Sequence, residues 1–160
     1  RLLELQYPGG PAVQKAAEGG NPNAFHFPRA WLEESYDFSF SGLKTAALRM
    51  LEKYHAPPRG QLLADLAASF QAAVVDVLAT KTVQAAEEFG AKAILLCGGV
   101  AANQALRATT AERATVPVYY PPPVLCTDNA AMVAACGYQR FVAGERAGWD
   151  LDVAPGLRLV

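Results

Sequence analysis

Three short stretches of this sequence hold residue types that can do chemistry. The first is Leu95-Leu96-Cys97-Gly98-Gly99-Val100-Ala101-Ala102-Asn103. An apolar strand that ends in two glycines and gives way to a helix lets a ligand or another backbone come close, because glycine has no Cβ and tolerates positive φ. The helix start would offer unpaired N–H groups and a partial positive charge. Asn103, read as lying in the first turn, has an amide that both donates and accepts. In open α/β sheets ligands sit at the carboxyl ends of strands, so a nucleotide site is one reading of Gly98, Gly99 and Asn103. A plain tight strand-to-helix turn is the other. The spacing is neither G-x-G-x-x-G nor a P-loop.

The second stretch is Cys126-Thr127-Asp128-Asn129. Thr, Asp and Asn are the preferred helix N-caps, and Asp128 stands beside an expected helix start. Its alternative role is a carboxylate shown to a metal or substrate, although a metal usually needs three or more ligands. Cys126 reads either as a further ligand or as a small buried hydrophobe. The third stretch, Asp37-Phe38-Ser39-Phe40-Ser41-Gly42-Leu43-Lys44-Thr45, holds a Ser-x-x-Lys spacing at Ser41 and Lys44. That spacing places a lysine beside a nucleophilic serine in some acyl enzymes; a capping serine with a solvated lysine explains it equally. The two histidines, His26 and His55, stand in irregular stretches without metal-ligand spacing.

The elements that must position these residues follow from periodicity and breakers. Tyr7-Pro8-Gly9-Gly10-Pro11 is a turn signal, with a short helix from Pro11 to Gly19-Gly20. Tyr36 to Phe40 alternates aromatic and polar residues, which predicts a short strand. Ser41 is expected to cap a helix to about Tyr54. Leu62, Leu66, Phe70, Val74, Val77 and Leu78 recur at three- and four-residue spacing, so residues 61–89 form the longest helix, stopped by Gly90. Residues 93–97 read as a buried strand and 116–119 as a second short strand, and helices are expected over about 101–113 and 129–143. Leu66, Phe70, Val74 and Leu95 are the expected core. Strands alternating with helices argue α/β with at least two parallel strands. Helix outweighs strand so heavily that part of the sheet is expected to be missing from the chain.

Composition bounds the class. The chain has 160 residues, the size of one globular domain. With 52% hydrophobic and 18% charged residues it is too apolar for disorder. It has no uninterrupted apolar run near 18 residues, so a spanning helix is not expected. Net charge is −1, from 14 basic and 15 acidic residues. An autonomous nucleic-acid domain usually carries a basic excess, so any RNA contact would draw most of its positive charge from elsewhere. Three cysteines, with no C-x-x-C pair, favour a reducing, cytosolic setting.

Taken together and in order, the motifs resemble the TsaD family (also called Gcp or YgjD). The resemblance is carried by Asp37 to Thr45, by Gly98 to Asn103 with Leu106-Arg107, and by Cys126 to Ala134. Tyr7 to Pro11, Phe27-Pro28-Arg29 and Ala64 to Gln71 add to it. It covers nearly the whole chain and weakens after about Gly144. It implies an ASKHA fold (the actin-like ATPase and sugar kinase fold), two α/β lobes around a nucleotide cleft. It also implies transfer of threonylcarbamoyl from threonylcarbamoyl-AMP to N6 of adenosine 37 in tRNAs reading ANN codons. On this resemblance Gly10 and Asn103 contact the nucleotide or adenylate, Gly98 and Gly99 shape its pocket, and Asp128 is a ligand of one divalent metal, iron or zinc. No catalytic residue is assigned. The implied partners are tRNA and accessory proteins of the TsaB and TsaE types, with no membrane and a cytoplasmic location.

The family's metal site also needs a His-x-x-x-His pair and its phosphate loop is of Ser-Gly-Gly-His-Thr type. Neither occurs here, and in the family both lie upstream of the matched region. Residues 1–160 are therefore expected to be a single incomplete domain, part of the second ASKHA lobe, lacking the first lobe and inactive alone. Two other readings stand beside this one. The chain is a non-catalytic nucleotide-binding or interaction lobe that needs a partner chain, or it is a sugar or acetate kinase relative. An older family label, O-sialoglycoprotein endopeptidase, is disfavoured because no protease machinery is visible.

Overall fold

The computed structural model describes residues 2–32 and 35–156. α1 spans Gly9–Ala16, α2 Ser41–Leu51 and α3 Gly60–Glu88. β1 (Ile94–Leu95) is followed by a 3-10 turn at Gly99–Ala102 and by α4 (Gln104–Arg113). β2 (Val118–Tyr119), a second 3-10 turn at Pro123–Leu125 and α5 (Ala130–Val142) complete the order. α1, α2, α4 and the strand pair are arranged around one helix, α3.

α3 forms because 29 residues pass without an internal proline or glycine and with abundant alanine. Gly90, at φ +59°, follows its end. α3 is long and apolar enough to cross a membrane, a property that a search for uninterrupted apolar runs passes over. Here it is the core helix. Alanines at 67, 68, 73, 79 and 86 are buried, so neighbours approach closely. α1 packs on Ala67 and Ala68 through Val13, Ala16 and Ala17. α2 packs through Leu43 on Leu66 and Ala73, with Phe27, Phe70 and Val74 in the same cluster. Phe27 and Phe70 meet edge to face, centroids 5.9 Å apart. α4 lays Leu106 on Val75 and Ala79. The sheet meets the end of α3, where Ile94 contacts Val83 and Ala86.

The two strands are parallel, with Ile94 opposite Val118 and Leu95 opposite Tyr119. That agrees with the helix–strand–helix–strand–helix reading. Leu95, an expected core residue, is 69% exposed. The pleat explains the difference: Ile94 takes the face covered by α3, and Leu95 takes the opposite face, which no described residue covers. Leu66 is buried and Phe70 and Val74 are half-buried in the same core. The expected strand at Tyr36–Phe40 does not form: the segment has no regular secondary structure and pairs with no described strand. It lies along α3 instead: Tyr36 hydrogen-bonds Glu88, and buried Lys81 donates to Ser35 O (2.6 Å) and Asp37 O (2.7 Å). α5 has no buried residue, and Met132, Val133, Tyr138, Phe141 and Val142 are exposed on it.

A charged cluster fastens α3 to its neighbours. Asp76 accepts from Arg29 Nε at 2.5 Å and pairs with Arg113 Nη1 at 2.7 Å. Partial burial pushes its carboxyl up, but hydrogen bonds and charge from Arg113 and Arg29 outweigh that and hold it below the ordinary value. A carboxylate depressed on folding adds stability above its unfolded pKa, about 3.9, and loses it as pH falls through the folded value. Asp76→Asn is expected to cost about 1–2 kcal/mol at pH 7. In urea titrations the gap between wild type and variant should close as pH drops below about 4.

Candidate functional site

Because the strands run parallel, the segments after β1 and β2 leave from one edge of the sheet. The ladder reaches one residue past β1, with Leu96 N donating to Tyr119 O at 2.9 Å. Beyond it, the chain turns at Gly98, whose φ of +83° suits glycine. Gly98, Gly99 and Val100 are exposed. A Cβ built on Gly98 or Gly99 would meet no atom of the described residues within 4 Å, and the same holds at Gly10. A ligand therefore has open access to the backbone at all three glycines.

Asn103 sits one step away from its expected place. The helix read as 101–113 is a 3-10 turn followed by α4, and Asn103 is the N-cap between them. Its Oδ1 accepts from Leu106 N at 2.9 Å, and its Nδ2 donates to Gln71 Oε1 of α3 at 2.9 Å. Gln104 N donates to Gln14 Oε1 of α1 at 2.9 Å. The start of α4 is thus capped by side chains, so it offers a ligand fewer unpaired N–H groups than the sequence suggested. The same bonds bring Asn103 to α3, and the α1 helix that begins with Gly9-Gly10 to the start of α4. Gln14 and Gln71 were not singled out from sequence. The signal available was their place in or beside matched motifs, Gln14 three residues after Tyr7-Pro8-Gly9-Gly10-Pro11 and Gln71 at the end of Ala64–Gln71.

After β2 come Pro121, Pro122 and Pro123, which lack N–H groups. This loop is fastened instead by Arg107 of α4. Its Nε donates to Ala101 O at 2.5 Å, and its Nη2 donates to Pro121 O at 2.9 Å and to Cys126 Sγ at 3.1 Å. The guanidinium carbon lies 4.4 Å from the Tyr120 ring centroid. Cys126 is 4% exposed.

Asp128 lies two residues beyond Cys126 and is exposed. The helix cap there is Asn129, whose Oδ1 accepts from Met132 N at 3.0 Å, so Asp128 is left free of the capping role that its type suggested. Among the described residues no three His, Cys, Asp or Glu side chains are grouped to hold a metal ion. Asp128 by itself does not make a metal site. Ser41 is the first residue of α2 and makes no side-chain cap; Ser41 and Lys44 are both exposed.

The arrangement is a helix-rich α/β unit with a glycine turn and a carboxylate loop on one edge of a parallel strand pair. The TsaD family model, described as tRNA N6-adenosine threonylcarbamoyltransferase, matches residues 1–135, and the chain belongs to that family. A protein of that name from Thermomicrobium roseum is 57% identical over 179 residues, covering 100% of this chain and 49% of the relative. Those from Dehalococcoides mccartyi and Bacillus subtilis are 52% and 51% identical, covering 98% and 99% of this chain. The chain spans about half the length of the curated relatives it matches.

Proposed function

We propose that this chain is the C-terminal part of an enzyme that transfers threonylcarbamoyl from threonylcarbamoyl-AMP to N6 of adenosine 37 in tRNAs reading ANN codons. It would act in the cytoplasm with accessory proteins of the TsaB and TsaE types. The observation that carries the reading is the parallel register. It sends the Gly98-Gly99 turn and the Asp128 loop off the same sheet edge, while Gln14 ties α1 to Gln104. In this reading Gly10, Gly98 and Gly99 give the adenylate close backbone approach, and Asn103 orients it with the amide hydrogen and lone pair its caps leave over. Asp128 supplies one ligand to a divalent metal, iron or zinc, whose other ligands come from the upstream part of the protein. The described residues do not hold that metal alone, and in this reading the chain alone is inactive.

The upstream part, the first ASKHA lobe and the opening strands of the second, would cover the Leu95 face of the sheet and the apolar side chains of α5. Exposed apolar surface of that extent marks an interaction face. The low net charge fits this reading: the other parts of the assembly would supply most of the tRNA-binding charge.

The test uses the full-length protein with its accessory proteins. Asn103→Ala should raise KM for threonylcarbamoyl-AMP by about 10-fold or more, because the adenylate is then no longer held in one orientation. Asp128→Ala should lower metal content and abolish modified tRNA. Normal tRNA modification by both variants would remove the reading.

A further inference from the structure

We propose that Arg107 is a positioning residue that sets the distance and orientation between the glycine turn and the Asp128 loop. The inference rests on the reading of those two segments as one site. The β1–β2 ladder is two residue pairs and one further bond from Leu96 N to Tyr119 O, too short to fix by itself what lies beyond its carboxyl end. The loop after β2 opens with three prolines and has carbonyls but no N–H groups there to offer a neighbour. Leu125 N and Cys126 N donate to Pro122 O and Pro123 O from within the loop, and Pro121 O is reached from outside, by Arg107. One guanidinium grips Ala101 O in the glycine turn through Nε, and Pro121 O and Cys126 Sγ in the other loop through Nη2. Tyr120 flanks the cation at 4.4 Å and limits its rotation. The Cys126 thiol is held too, 3.7 Å from Pro121 O and 3.6 Å from Pro122 O. The planar fork matters as much as the charge, because the acceptors lie in two different segments on two sides of the group. A lysine ammonium is a point charge on a flexible stem and lacks that geometry.

The experiment compares Arg107→Lys and Arg107→Ala with Asn103→Ala and Asp128→Ala, all in the full-length protein with its accessory proteins. Arg107→Lys keeps the stem and the charge and is the variant expected to stay folded. Both Arg107 variants should raise KM for threonylcarbamoyl-AMP and lower kcat, roughly 10- to 100-fold in kcat/KM, the scale of a misplaced reacting group. Hydrogen exchange on Arg107→Lys should show the amides of residues 98–103 and 124–128 loosening together while α3 stays protected. Unchanged kcat/KM in Arg107→Lys, or loosening of one segment without the other, would overturn the inference. Should the Arg107 variants act normally while Asn103→Ala and Asp128→Ala fail, the inference falls alone. Silence of Asn103→Ala and Asp128→Ala overturns the site reading and, with it, the inference.

Discussion

Replacing Lys81 by alanine is expected to lower the unfolding free energy by about 2–4 kcal/mol. Lys81 is 4% exposed, on the core helix, and its ammonium donates to two main-chain carbonyls, Ser35 O and Asp37 O. It also stands 5.9 Å from the centre of the Phe38 ring. The acceptors are dipoles rather than a carboxylate, so the contribution comes from charge-assisted hydrogen bonds. Removing the side chain strips the donors from both carbonyls, leaves a cavity beside α3, and frees the segment that carries Asp37 to Thr45. Lys81→Met keeps most of the apolar stem and removes only the donors. It should therefore cost about 2 kcal/mol, less than alanine, the difference being the cavity term. Denaturant titrations of the three proteins measure both terms. Loss in alanine with none in methionine would mean that packing, not hydrogen bonding, holds the segment.

The second large effect is expected at Gly20. A Cβ there would stand 2.1 Å from Ala64 O and 2.9 Å from Ala68 Cβ, both on α3. The nearer obstacle is backbone inside a helix and cannot swing away. The loop cannot retreat either. Gln61 Nε2 donates to Gly19 O, Asp65 accepts from Asn21 N, and Ser69 Oγ both donates to Asn21 O and accepts from Phe25 N. Gly20→Ala must move the loop off α3 or strain the helix. The expected cost is about 3 kcal/mol, the upper end of overpacking penalties. Gly19→Ala is the control. Its Cβ meets no atom within 4 Å, and the cost is only that of a left-handed φ of +73°, about 1–2 kcal/mol. Thermal melts should rank wild type above Gly19→Ala and Gly19→Ala above Gly20→Ala. Equal midpoints for the two variants would show that the loop yields.

Much of the framework was legible because it depends on local signals. The long helix followed from apolar spacing and from the absence of breakers, and the observed Gly60–Glu88 differs from the expected bounds by one residue at each end. The parallel pair followed from strands separated by helix. The expectations that failed are those in which a neighbour decides. Tyr36–Phe40 alternates like a strand, but no described strand lies beside it and Lys81 collects its carbonyls instead. Asp128 and Asn129 are both good caps, and the cap falls to Asn129. Leu95 has the composition of a buried strand, yet the pleat turns it to an uncovered face.

The sequence by itself determined the family, through ordered motifs, and the helical skeleton, through periodicity and breakers. These are properties of residues near one another along the chain. The tertiary structure alone decided which motif residues meet. Gln71 and Gln14 join Asn103 and Gln104 across 32 and 90 residues of chain, and Arg107 bridges two loops through main-chain carbonyls. Carbonyls are present at every residue and carry no sequence signal. A side chain that acts through them is invisible until the fold brings them within reach.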